Sequence, residues 1–471
     1  MDGARFPLEP DAELMLGSAE AAARVVVEHL ASLPDMAAVD LAGALEAATR
    51  IREPAPEGGT PLRELLHAVE AGARKSFTTA GPGYLAYIPG GGLWSAALAD
   101  FVAAALNRYV GVWEAAPVLA QIEAQAVRWM ADMFGFPPEA RGILTSGGSL
   151  SNFSAVVTAR HALLGERFQD GTLYASDQVH NSVVKAALLA GFPRDNVRLV
   201  ATDAELRLDV AALREAVAAD RRAGLRPAFV VASAGTTNTG AIDPIAEVAD
   251  LARHEAMWLH VDGAYGGFFQ LTERGRAAFA GIERADSITL DPHKAMFLPY
   301  GTGCLLVRDG GLLRAAHESH HGEYLQDLAL EEEIPSFTNY SPELSRDFRG
   351  LRVWLPIKLH GLAAFREALD EKLDLTRLLF ERLGEVPQIE IPWEPQVTVV
   401  AFRLRGDGPE ADEANRRFLE RINASRRVYL SSTTIRGRMI LRACIVSHRT
   451  HRDRIEEAAE IIRRAAAEAA T

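Results

Sequence analysis

The sequence predicts an α/β protein whose central sheet is mainly parallel and covered on both faces. Three observations carry this. Short apolar runs alternate with amphipathic segments from residue 172 onward. The run "PAFVVASAG" is continuously apolar and β-branched, as burial on both faces requires. The unusual polar residues fall just after such runs, where ligands bind in open parallel sheets.

The elements follow in order. Residues 12–50 are Ala/Leu-rich with helical periodicity, and "REPAPEGGTP" (52–61) breaks it. "TLYASD" (172–177) is a strand and turn, and "NSVVKAALLAG" (181–191) is a helix ended by glycine. "NVRLVAT" is a strand, and "DVAALREAVAADRRAG" (209–224) is an amphipathic helix. "DPIAEVADLARHE" (243–255) is a helix with Asp243 as N-cap and Pro244 in its first position. "MWLHVDGAYGG" is a strand running into a glycine-rich loop. Beyond about residue 360 a smaller α+β unit begins, with strands in "VTVVAFRLRG" and "RMILRACIVSH" and helices at 411–424 and 451–468. The polar stretch 317–348 is long for an internal connection, so it is a candidate lid or binding loop.

Composition excludes several classes of function. The chain has 471 residues, 48% of them hydrophobic, and a net charge of −13. With no basic face or Lys/Arg block, neither nucleic acid nor an anionic membrane is an expected partner. "WSAALADFVAAAL" carries Asp100 and is too short to span a bilayer. The start "MDGARFPLEP" has no basic segment followed by an apolar one, so a cytoplasmic protein is expected. Cys304 and Cys444 have no metal-ligand spacing, so both are expected to be buried apolar residues and no metal site is expected.

The chemistry concentrates in four places. Lys294, in "SITLDPHKAMF", follows an apolar run and sits among apolar neighbours. A lysine amine there is suited to a Schiff base with an aldehyde, because burial eases loss of its proton. Asp262 ends a strand, where a carboxylate can hold a protonated pyridine nitrogen. "LTSGGSLSNFSAVVTAR" (144–160) is a glycine-serine turn opening a helix, an anion site suited to phosphate. It lacks the GK[ST] of a P-loop. His180 follows a strand in "SDQVHNS".

Together "TSGGSLSN", "SDQVHNSV", "GTTNTGAIDP", "LHVDGAYGG" and "DPHK" resemble the group II pyridoxal-phosphate-dependent amino acid decarboxylases. That family includes the aromatic amino acid, histidine and glutamate enzymes and the plant aldehyde synthases. The likeness runs from about residue 75 to the C-terminus. It implies a fold type I enzyme and a homodimer with its sites at the subunit interface. The implied parts are an N-terminal helical segment (1–92) packing on the partner subunit, a large domain (93–360) with a mainly parallel, seven-stranded-type sheet, and a small C-terminal α+β domain (361–471). The lid would span about 317–345.

By the same resemblance Lys294 holds the cofactor covalently and Asp262 pairs with its ring nitrogen. His180 stacks on one ring face and Ala264 lines the other. Gly148 and Ser149 hold the phosphate with help from His293, and Thr237 lies beside the cofactor. Asp291 stands where the aromatic enzymes commonly have asparagine. A carboxylate facing the phosphate would repel it, so Asp291 is expected to point elsewhere or to be bound through its backbone. Tyr324, in "EYLQD", matches the family's catalytic tyrosine, which protonates Cα and yields an amine. The aldehyde synthases carry phenylalanine there.

Tyr87, Ile88, Val112 and Trp113 match substrate-lining segments. Ser345 falls where the histidine-decarboxylating branch has serine, and neighbouring Arg346 reads as a lid or dimer contact. No clear second cation is present for an acidic side chain. The expected reaction is decarboxylation of an L-amino acid, aromatic or heteroaromatic, to amine and CO2. Alternatives on the same scaffold are aldehyde synthesis, a carbon–carbon or carbon–sulfur lyase step, and a non-catalytic protein.

Overall fold

The computed structural model describes residues 8–318 and 336–469. The helices are α1 (Ala12–Ser32), α2 (Ala44–Arg50), α3 (Leu62–Arg74), α4 (Trp94–Leu106), α5 (Pro117–Met133), α6 (Gly148–Leu164), α7 (Asn181–Leu189) and α8 (Val210–Arg222). They continue as α9 (Ile245–His254), α10 (Glu273–Ala278), α11 (Pro292–Ala295), α12 (Gly310–His317), α13 (Arg349–Gly384), α14 (Gly408–Ala424) and α15 (Arg452–Ala469). The strands of the large sheet are β1 (Arg141–Thr145), β2 (Gly171–Ser176), β3 (Val197–Val200), β4 (Arg226–Ser233), β5 (Trp258–Gly263), β6 (Ser287–Leu290) and β7 (Gly303–Val307). A second sheet holds β8 (Ile389–Glu390), β9 (Val399–Leu404), β10 (Ser431–Ile435) and β11 (Arg438–Cys444).

The seven strands lie in the order β1-β7-β6-β5-β4-β2-β3, and β7 runs antiparallel to both neighbours while β6 to β3 are mutually parallel. Val230, Val231 and Val261 at its centre are wholly buried, which is why these strands read as unbroken apolar runs. The small sheet is antiparallel, in the order β10-β11-β9-β8. Its core packs Phe402, Leu441, Ile422, Ile455 and Ile462 together. The α/β class with a mainly parallel large sheet and a small α+β unit is therefore as expected, and Cys304 and Cys444 are both buried.

Local sequence sets the helix ends. Asp209 caps α8 by accepting from the N–H groups of Ala211 and Ala212 at 2.8 and 3.1 Å, a cap worth about 1 kcal/mol. Asp243 does not cap α9. It is buried, and its carboxylate accepts from the N–H groups of Leu208 and Ser233, both at 2.7 Å. Pro244 takes the cap position instead. A carboxylate so deep is more useful satisfying loop and strand amides than a helix end, and its burial pushes its pKa up to about 6. Helix α13 is broken at Gly361, whose φ of 74° only glycine adopts freely. No helix among the described residues is long and apolar enough to cross a membrane.

Candidate active site

The carboxyl ends of β4, β5 and β6 open on one cavity of about 270 Å³. Register places Ser233 beside Asp262, and Asp262 beside Thr289, so the aspartate sits at the centre of this edge. Immediately after β6 the chain makes the single turn α11, which presents His293 and Lys294. Helix α6 starts across the cavity at Gly148, and no side chain caps it. A Cβ on Gly148 would come within 3.0 Å of Asp291 Oδ2, so glycine lets these two elements approach. His180 is the N-cap of α7, and the loop after β4 turns at Gly235 (φ 97°) to bring in Thr237.

Gly148, Ser149, His180 and Thr237 thus line the cavity, together with Asp262, Ala264, His293 and Lys294. Asp262 accepts from Ala264 N–H at 3.1 Å and, through its other oxygen, from Asn152 Nδ2 at 3.1 Å. His293 Nδ1 lies 2.7 Å from the carbonyl of Thr302, so Nδ1 carries the proton and Nε2 faces Asp291 at 3.7 Å. Burial holds His293 below the usual imidazole range, against the opposing pull of Asp291.

Asp291 departs from expectation. Its side chain faces the cavity rather than away from it, and Oδ2 pairs with Lys294 Nζ at 2.9 Å. The cause is spacing: residues three apart on a helical turn share a face. Asp291 precedes that turn without capping it, which leaves its carboxylate to the lysine. Oδ1 is buried without a hydrogen-bond partner.

The residues expected around the substrate do not line this cavity. Tyr87 is 55% exposed, with its N–H bonded to Ser431 Oγ at 3.0 Å, while Ile88 is buried. Val112 and Trp113 lie along the segment following residue 335: Trp113 N–H donates to Ser336 Oγ at 3.3 Å, and Thr338 N–H to Gly111 O at 3.1 Å. Trp113 instead lines an open apolar depression with Val118, Ile122 and Trp354. Ser345 is exposed. The side chain of Arg346 turns into its own chain and pairs with Glu123 at 2.6 Å, both side chains being fully covered. Tyr324 lies outside the described residues.

Residues 46–405 match the pyridoxal-dependent decarboxylase conserved domain. The chain belongs to this family. The decarboxylase is 35% identical over 450 residues to an aromatic-L-amino-acid decarboxylase of Bacillus atrophaeus, covering 94% of this chain and 93% of that one. It is 33% identical to tryptophan decarboxylase 1 of Oryza sativa subsp. japonica, over 83% of this chain and 81% of the relative. A crystal structure of Oryza sativa TDC with PLP and tryptamine superposes with a TM-score of 0.93 at 28% identity, covering 99% of each chain.

The cavity of the decarboxylase fits pyridoxal phosphate on its own chemistry. The uncapped start of the 17-residue α6 offers backbone donors to a phosphate. An aldehyde needs an amine, and Lys294 reaches the cavity. A protonated ring nitrogen needs an anion, and Asp262 is a buried carboxylate in the cavity lining.

Sequence reading missed two supporting residues. Asn152 comes four positions after Gly148, one helical turn along the same face, and that spacing was the available signal. Arg442 is buried and holds the pocket rim together. It donates to the carbonyls of Thr237, Asn238 and Tyr87 and to Ser431 Oγ. Nothing local in "MILRACIVSH" marks it, because its partners come from two distant loops and the neighbouring strand β10.

Proposed function

We propose that this enzyme converts an aromatic L-amino acid to the corresponding amine and CO2. The convergence of Lys294, Asp262, His180 and the start of α6 on one cavity carries the reading. The aromatic specificities of the relatives in Bacillus atrophaeus and rice support the substrate class. Bound in the cavity, pyridoxal phosphate supplies the electron sink for the pair released when the bond from Cα to the carboxylate breaks.

The chain supplies the rest. Lys294 anchors the cofactor through its amine, and Asp262 opposes positive charge at the ring nitrogen. His180 and Ala264 enclose the ring from either side. Gly148 and Ser149 hold the phosphate, with Thr237 and His293 beside it. Tyr324 delivers the proton to Cα that makes the product an amine. Tyr87, Ile88, Val112, Trp113 and Ser345 form the substrate end when two copies of the chain associate. Exposed Phe101, Leu106 and Val118 on α4 and α5 support that pairing. A cytoplasmic homodimer is the proposed working form.

The experiment is CO2 release from each of the twenty standard amino acids and from dopa. Turnover of tryptophan, tyrosine, phenylalanine or dopa above all others supports the reading. Exclusive turnover of an acidic or small aliphatic amino acid overturns it.

A further inference from the structure

A hydrogen-bond chain behind the cavity has its direction fixed from one end. At one end is Asp262, whose carboxylate can only accept. Asn152 must therefore turn its amide nitrogen to Asp262 Oδ2, at 3.1 Å. The amide oxygen then faces His260 Nε2 at 3.0 Å, so that nitrogen carries the ring proton. His260 Nδ1 is left as an acceptor and lies 2.8 Å from Ser287 Oγ. Ser287 Oγ in turn takes the indole N–H of Trp258 at 2.8 Å. Trp258 can only donate, and a Ser287 oxygen that accepts from it keeps its own proton for His260 Nδ1, in keeping with the direction set at Asp262. Asn152, His260 and Ser287 are each no more than 1% exposed, and water does not substitute for any link.

A branch reaches His180. Asn152 Nδ2 also donates to Ser182 Oγ at 2.9 Å. The Ser182 hydroxyl keeps its own proton for His180 Nδ1, at 2.7 Å. The backbone N–H of Ser182 points at the same nitrogen from 3.3 Å. Nδ1 is therefore the accepting nitrogen of the neutral ring, and the proton of His180 sits on Nε2. The opposite polarity holds at His293, whose Nδ1 donates to Thr302 O.

We propose that Asn152 is a positioning residue that couples the ionised Asp262 to the Nε2–H form of His180. This rests on the cavity being the cofactor site, in which His180 would then present a donor and not an acceptor. Burial keeps His260 neutral at ordinary pH, so it transmits direction without adding charge.

The test uses holoenzyme labelled with 15N in its histidine rings, read by NMR. Signals are assigned with His180→Gln and His260→Gln. Both His180 and His260 should show a protonated Nε2 and a bare Nδ1. A protonated Nδ1 on either ring overturns the proposal. Asn152→Asp then separates positioning from bulk structure. The new side chain keeps an acceptor for His260 but replaces the donor to Asp262 and Ser182 with a second acceptor.

The His260 signals should stay, the His180 Nδ1 signal should move, and kcat/KM should fall about tenfold or more, the size of one hydrogen bond to a charged group. Unchanged His180 signals in that variant contradict the coupling. The premise is checked apart: a covalent cofactor link that survives Lys294→Ala defeats the cofactor-site reading, whatever the tautomers are.

Discussion

The two halves of the site are built differently. Every residue expected to touch the cofactor lines one cavity in a single chain, whereas none of the described residues expected at the substrate end does. The cofactor half rests on adjacent strand ends in fixed register, held from behind by buried side chains. The substrate half is spread over segments around residues 87, 112 and 345, some of them solvent-exposed and one lining a separate apolar depression. A parallel sheet can assemble a cofactor site from one chain. Its variable end is left to surfaces that a second copy of the chain can complete.

Substitutions on the two halves should separate accordingly. The largest effect is expected at Lys294: Lys294→Ala abolishes turnover and the covalent link, measured by absorbance and intact mass after denaturation. Tyr324→Phe should lower amine yield by about 10²- to 10⁴-fold, the range for losing a positioned proton donor. Aldehyde and peroxide should rise together in that variant, and an unchanged product ratio removes Tyr324 from the mechanism.

A smaller effect comes from Asp291, whose carboxylate sits beside Lys294 and the start of α6. Asp291→Asn removes a negative charge facing the proposed phosphate site, so cofactor affinity should rise about tenfold, ~1.4 kcal/mol. Equilibrium titration of cofactor-free protein checks this, and weaker binding would show that pairing with Lys294 outweighs repulsion. Trp113→Ala should act on the other half alone. KM should rise several-fold and the dimer should weaken in sedimentation, with the cofactor spectrum unchanged.

Acid should act through the support behind the cofactor half. Burial takes His260 from 6.5 down to about 4. The unfolded chain therefore binds a proton that the folded one does not, between pH 6.5 and about 4. Stability falls as pH falls through that window, by about 3 kcal/mol in all for this residue. His260→Gln should flatten that part of the profile in chemical denaturation curves recorded at stepped pH.

The same contrast explains what the sequence discloses. Alternating runs mark β2 to β5 and their helices because burial on both faces leaves an unambiguous pattern. Lys294, Asp262, His180 and the α6 turn are legible because each follows a strand and each residue type suits one part of the cofactor. Asp243 misled because a carboxylate before Ile245 has the local look of a cap, while its true partners, Leu208 and Ser233, are distant in sequence. Asp291 misleads for the opposite reason: repulsion from a phosphate is the evident influence in the sequence, whereas the attraction of a lysine three residues on sets its direction. Arg442, His260 and Ser287 act through contacts that no local pattern encodes.

The central claim is that this cavity carries the cofactor on Lys294. Borohydride reduction of the purified holoenzyme, followed by peptide mass mapping, tests it most directly. The account predicts a pyridoxyl-phosphate adduct on the peptide containing "DPHK", at Lys294. An adduct confined to another lysine, or none at all in active enzyme, would contradict it.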